Sequence, residues 1–188
     1  MKNSLLILPL LCASTFSVQA NDFEAALSSK AAQFSMYSDS SVIGWGGSDL
    51  ALRFMYNEDD DFLAQAEVLS VRPASEGTPL TLGVGLKAYA GVVSTDKNIL
   101  SIGVGGSIQY VIPATMPVTA YGNLFYSPEI TSFSDAETIR DFNIGVQVEA
   151  MPQTKMFIGY RNLKLDTDTV KGYRLDDKKI HFGVRFTF

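Results

Sequence analysis

The sequence predicts an all-β protein, a small antiparallel up-and-down transmembrane β-barrel, with ten strands favoured and eight as the alternative. Three observations predict it. Apolar residues recur at every second position through most of the chain beyond residue 20, which divides each segment into an apolar face and a polar or small-residue face. Many of these segments approach the ~9–11 residues of a tilted spanning strand, longer than the ~5–6 residues usual in soluble sheets. The chain also stops on such a segment, Ile180-His181-Phe182-Gly183-Val184-Arg185-Phe186-Thr187-Phe188. Its apolar positions suit acyl chains, and His181, Gly183, Arg185 and Thr187 suit a polar interior.

Residues 1–20 read as a cleaved secretory leader. Lys2 precedes an apolar run from Ser4 to Val18, and Val18-Gln19-Ala20 is a small-residue cleavage site ending at Ala20. The run is too short for a membrane helix with flanks. Cys12 follows Leu11, where a lipidated cysteine wants a small residue, so it reads as leader filling. The remaining 21–188 forms one domain, without repeat or linker, and has no cysteine for disulfide or thiol chemistry. Losing Lys2 leaves 14 Lys+Arg against 20 Asp+Glu. That acidic balance argues against a nucleic-acid partner, which wants a basic patch.

Taken in order, Phe23–Leu27 and Ala31–Ser38 read as strands with a helical rival, because Phe23, Leu27, Ala31 and Phe34 also fall at helical spacing. Leu50, Leu52, Phe54 and Tyr56 share one face of the next segment, and Phe62, Ala64, Ala66 and Val68 share one of its successor. Leu80–Val92, Leu100–Ile112, Val118–Tyr126, Ile139–Ala150, Met156–Leu165 and the terminal segment complete the set. Pro73, Pro79, Pro113, Pro117, Pro128 and Pro152 fall between these segments, as expected of a residue that cannot donate to a ladder. Short, nearly uncharged connections at 111–117 and 151–154 alternate with longer polar ones at 127–137 and 166–177. Counting back from Phe188 to Ala31 gives nine segments, and single-chain bacterial barrels have even numbers. Phe23–Leu27, turning at Ser28-Ser29, supplies the tenth; discarding Ala31–Ser38 instead leaves eight.

Along its whole length the chain resembles the YfaZ family of outer-membrane proteins. The residues that carry the resemblance are Tyr56-Asn57-Glu58-Asp59-Asp60, the glycine-rich stretches 83–91 and 103–106, Tyr126-Ser127-Pro128-Glu129, Gly159-Tyr160-Arg161 and the terminal segment. The resemblance implies a barrel in the bacterial outer membrane and brings no catalytic or binding residues with it. The pattern His181-x-Gly183-x-x-Phe186-x-Phe188 also resembles the terminal signal read by the outer-membrane assembly machinery. That machinery and lipopolysaccharide-bearing lipid are thus the expected partners, with oligomeric state left open.

Alternation assigns Arg53, Gln65, Glu67, Lys87, Tyr89, Gln109, Asn123, Gln147, Glu149, Arg161, His181 and Arg185 to the lumen. Both signs occur, and buried charges need partners, so a cross-linked filling of a narrow barrel is favoured over a conduit. Inward Gly83, Gly85, Gly103, Gly105, Gly145 and Gly159 either add space or accommodate curvature. Pairing Val93 near Ile99 sets Tyr89 opposite Gly103 and Lys87 opposite Gly105. Gly103-Val104-Gly105-Gly106 is no nucleotide loop, because alternation runs straight through it.

His181 is the sole histidine and the one candidate for acid–base chemistry near neutrality, with Asp166, Asp168, Asp176 and Asp177 as expected neighbours. Its place in the terminal pattern favours a structural role. No enzyme activity, cofactor or metal is expected. Glu58-Asp59-Asp60-Asp61 reads as a hairpin tip before it reads as a cation site. Lys164, Lys171, Arg174, Lys178 and Lys179 are placed to meet lipid phosphates. Tyr56, Phe62, Tyr126 and Phe142 on one side, with Tyr110 and Phe188 on the other, form aromatic girdles, and Trp45 is an interfacial anchor.

Overall fold

A computed structural model describes residues 22–39, 48–93, 97–168, 170–175 and 180–188. Ten of its strands build a closed antiparallel wall: β1 (Asp22–Ser28), β2 (Ala31–Asp39), β3 (Ser48–Asn57), β4 (Phe62–Pro73), β5 (Leu80–Val93), β6 (Lys97–Ile112), β7 (Val118–Ser127), β9 (Ala136–Met151), β10 (Thr154–Thr167) and β12 (Ile180–Thr187). Two short loop strands, β8 (Ser132–Ser134) and β11 (Tyr173–Arg174), pair with β6 and β10. Each wall strand pairs with its predecessor, and β12 pairs with both β10 and β1, which closes the ring. Ten strands, the favoured count, are what the described residues contain. The leader, Ala20 and Trp45 lie outside them.

The disputed N-terminal segment is a strand pair. Ser28 makes the turn possible, because its hydroxyl accepts hydrogen bonds from the Lys30 and Ala31 amides at 3.4 and 3.0 Å. Outward Phe23 and Phe34 stack at 6.3 Å. The helical spacing of the same residues loses because two open edges, β12 and β3, are there to be paired.

Following paired residues round the ring returns to β12 staggered by about 12 residues, which corresponds to a strand tilt of roughly 40°. Asp22, where the described chain begins, and Phe188 lie at one end of the barrel, the end of the termini. Alternation is kept throughout: Val84, Leu86, Val104, Leu124, Ile158 and Phe182 are exposed on the outer face, while Arg53, Glu67, Lys87, Asp141 and Arg161 are buried inside. An apolar outer wall round a polar interior inverts the soluble arrangement. Tyr56, Phe62, Tyr126 and Phe142, and at the other end Tyr110 and Phe188, stand exposed on that wall.

Three expectations are corrected. The β5–β6 register is two residues tighter, with Val93 opposite Lys97, Tyr89 opposite Ser101 and Lys87 opposite Gly103, because both strands continue further into the hairpin. Pro73 is the last residue of β4, opposite Thr81, where a strand end has no ladder donor to lose. The contrast between short and long connections holds only in the C-terminal half. At the end away from the termini, 29–30, 58–61 and 94–96 are also short connections.

Candidate functional site: the lumen

The interior is arranged in tiers along the barrel axis. At the end away from the termini, inward side chains are apolar. Met55, Leu63, Tyr89, Val93, Ile99, Ile139, Leu163 and Leu165 form one cluster, each no more than 3% exposed. The β10–β12 connection folds into this mouth: Tyr173 pairs with Leu165, and Leu175 enters the cluster at 2% exposure. A buried polar latch holds it. Tyr173 and Asn57 donate to the Asp61 carboxylate at 2.9 and 2.7 Å, and Asn57 also donates to the Leu175 carbonyl at 3.0 Å. Wall and loop together make an apolar stopper across this mouth.

The 58–61 acids therefore do not act as a group. Glu58 pairs with Lys30, Asp60 accepts from Tyr56 at 2.5 Å, and Asp61 turns inward. Asn57 shapes the turn, its side-chain oxygen accepting from the Asp59 and Asp61 amides.

Below the stopper lies a belt of charge. Arg53 grips Glu67 with two hydrogen bonds of 2.7 and 3.1 Å. Lys87 reaches across the barrel to Asp141 at 2.6 Å and lies 3.5 Å from Glu67. Tyr89 donates to the same Asp141 oxygen at 3.2 Å. On the opposite side Arg161 donates to Gln33 at 2.5 Å, and Arg185 donates twice to Glu24 at 2.9 and 2.5 Å. Tyr37 joins the two halves, lying under both Arg185 and Arg53 with centroid distances of 4.2 and 5.5 Å and donating to Glu24. Placing opposite charges within hydrogen-bonding reach is what makes their burial tolerable. Cross-linking across strands distant in sequence fits the filling role favoured from the sequence.

Nearer the termini the belt gives way to a cavity of about 410 Å³. Asp22, Asp39 and Asp49 stand at its mouth. Ser107, Gln109, Tyr121, Asn123, Asn143 and Gln147 line one wall. Arg53, Glu67, Lys87, Gln109, Arg161, His181 and Arg185 all border this space, as alternation assigns them, and Tyr89 lies just above it in the stopper. Glu149 is the exception. It keeps inward parity but is exposed, because β9 runs past the end of the lumen there.

The inward glycines do not widen the lumen. A Cβ on Gly85 would strike the Val68 carbonyl, one on Gly105 the Leu124 carbonyl, and one on Gly145 the Tyr121 hydroxyl. Close strand approach in a curved sheet is what they allow. Tyr89 covers Gly103 diagonally, its ring 3.4 Å from where a Cβ would stand.

His181 is 3% exposed and meets Phe157 edge-on at 5.9 Å, over the open face of Gly159. Of the expected carboxylates, the two described ones, Asp166 and Asp168, are not beside it, Asp168 being exposed past the end of β10. Asp166 is on the opposite face of β10, where it accepts from Thr138 at 2.8 Å and from the Gly172 amide at 2.5 Å. Asp176 and Asp177 are outside the described residues. Of the loop cations, Lys171 pairs with Glu137, Arg174 is exposed, and Lys178 and Lys179 are not described.

Alternation also reaches residues that the sequence reading passed over. Glu24, Asp141 and Asn143 share the parity of Ala26 and Gln147 and lie inside the segments Phe23–Leu27 and Ile139–Ala150, so the same rule assigns them to the lumen. Nothing in the sequence marks Leu175, which follows a two-residue loop strand.

A family profile described as "YfaZ precursor" matches residues 2–188. The chain belongs to the YfaZ family. A search of curated proteins finds no match. Among solved structures the chain is similar to the outer membrane channel DcaP of Acinetobacter baumannii, with 14% identity and a TM-score of 0.41. That similarity covers 88% of this chain and 54% of the other, so this chain spans about half the length of the solved protein.

Proposed function

We propose that this YfaZ-family chain is a non-conducting, non-catalytic barrel of the bacterial outer membrane, with a structural or surface-contact role. The observation that carries it is the apolar stopper, in which Val93, Ile99, Leu165 and Leu175 are at most 3% exposed across one mouth. The apolar outer wall, the leader-like N-terminus and the terminal aromatic strand support the outer membrane as its address. In that setting the termini face the periplasm. The loops at 127–137 and 166–178 then face outward, with Lys164 and Arg174 available to lipopolysaccharide phosphates. His181, Gly183, Phe186 and Phe188 serve recognition by the assembly machinery. The packing of His181 edge-on against Phe157 supports a structural place for it in the wall.

Planar-bilayer recording of the folded protein tests this reading. The expected trace shows no stable unitary conductance, and a reproducible unitary step in the wild-type protein overturns it. The channel alternative draws support from the polar cavity below the stopper. Leu175→Asp, which sets a charge in the stopper, is the variant in which conductance is expected to appear.

A further inference from the structure

We propose that the terminus-facing cavity binds a neutral, polyhydroxylated small molecule of mono- to disaccharide size. The inference goes beyond the structural role and rests on the cavity wall, not on the stopper. Its starting point is how the hydrogen-bonding capacity of the cavity is used. The charged groups on one side are committed to one another: Arg53 with Glu67, Lys87 with Asp141, Arg185 with Glu24. Apart from Asp141, which is taken by Lys87, the cavity wall on β6, β7 and β9 is uncharged. Ser107, Asn123 and Asn143 lie opposite one another in register across three strands, and Gln109 lies opposite Tyr121 one step nearer the mouth.

Among the described residues these amides and the Tyr121 hydroxyl make no side-chain hydrogen bonds, and the Asn143 Oδ1 is buried without a partner. Buried polar groups are ordinarily satisfied, and each left open is a cost that a ligand can remove. Carboxamides donate and accept in equal measure, which matches a sugar hydroxyl rather than an ion. Charge selection points the same way. Asp22, Asp39 and Asp49 at the mouth oppose an anion, and Arg53, Lys87 and Arg161 on the inner side oppose a lone cation. Phe157 and Tyr121 add apolar area for the carbon framework. A volume of about 410 Å³ lies in the range of small-molecule sites.

The experiment is calorimetric titration of the full, folded protein in an amine-oxide detergent, which avoids sugar head groups. Glucose, maltose and trehalose are the probes, with glucuronate and glucosamine as anionic and cationic controls. Saturable binding of at least one neutral sugar is expected, with a Kd of about 1 mM or tighter and both charged analogues at least about tenfold weaker. Asn143→Leu and Tyr121→Phe should each weaken binding about tenfold while keeping the faster gel migration of the folded form. If Asn143→Leu does not fold, Tyr121→Phe alone decides. Absence of saturable neutral-sugar binding, equal binding of the charged analogues, or unchanged binding by the folded variants overturns the proposal. The bilayer recording fails or succeeds independently: conductance removes the stopper reading, and lack of sugar binding removes only the site.

Discussion

Lys87 and Asp141, 54 residues apart in sequence and three wall strands apart in the ring, are joined by a 2.6 Å ion pair whose side chains are each 7% exposed. Removing one partner leaves the other charge buried. Breaking such a pair costs about 3–5 kcal/mol. The lower figure applies here, because cavity water borders the cluster and Lys87 retains Glu67 at 3.5 Å. Lys87→Met and Asp141→Leu should therefore each cost about 3 kcal/mol. The double variant removes both charges, leaves Glu67 to Arg53 alone, and leaves the Tyr89 hydroxyl without its acceptor, a loss of about 1–3 kcal/mol. It should be no less stable than either single variant, with a coupling energy of at least about 2 kcal/mol. Reversible urea unfolding in phospholipid vesicles, read by tyrosine fluorescence and by heat-dependent gel migration, measures all four proteins. A double variant whose loss equals the sum of the singles, or singles within about 1 kcal/mol of wild type, would refute the claim that a paired belt ties the lumen together.

The wall and its loops give three further predictions. Gly105→Ala drives a methyl into the Leu124 carbonyl and the Phe125 ring and should cost about 3 kcal/mol, whereas Gly77→Ala, at φ 75° in open space, should cost about 1 kcal/mol; the same unfolding assay compares them. Val104→Arg, at an outer position 57% exposed, should cost about 2–4 kcal/mol in vesicles, while Gln109→Arg in the cavity should be tolerated within about 0.5 kcal/mol. The reverse order would turn the barrel inside out. The Asn98 amide, and then Lys97, hold the Asp135 carboxyl below its ordinary range. Its contribution is thus complete above the unfolded-state value and lost as pH falls through the lower folded one. Hydrogen exchange at Asn98 should be slow at neutral pH, fast in strong acid, and fast at both in Asp135→Asn.

What could be read in advance depended on how far along the chain the relevant information is spread. The segments and their inward and outward faces follow from a period of two, which needs only neighbouring residues, whereas ten against eight turns on whether the first two segments are strands. The helical rival at 22–34 was settled by edges that sequence spacing does not show. The β5–β6 register was missed by two residues because it depends on how far a hairpin extends, and a shift of two keeps every face unchanged. Glu149 was assigned the right face and the wrong surroundings, because parity says nothing about height along the axis.

The one-dimensional pattern by itself therefore determined that this chain forms a barrel wall with apolar groups outside and charges within, since facing is a local property of a strand. The fold decided which inward groups meet. Lys87 finds Asp141, Arg161 finds Gln33 across 128 residues, and Leu175 drops into the mouth. Their heights accumulate strand by strand from the stagger of the whole ring, a quantity that exists only once the barrel is closed.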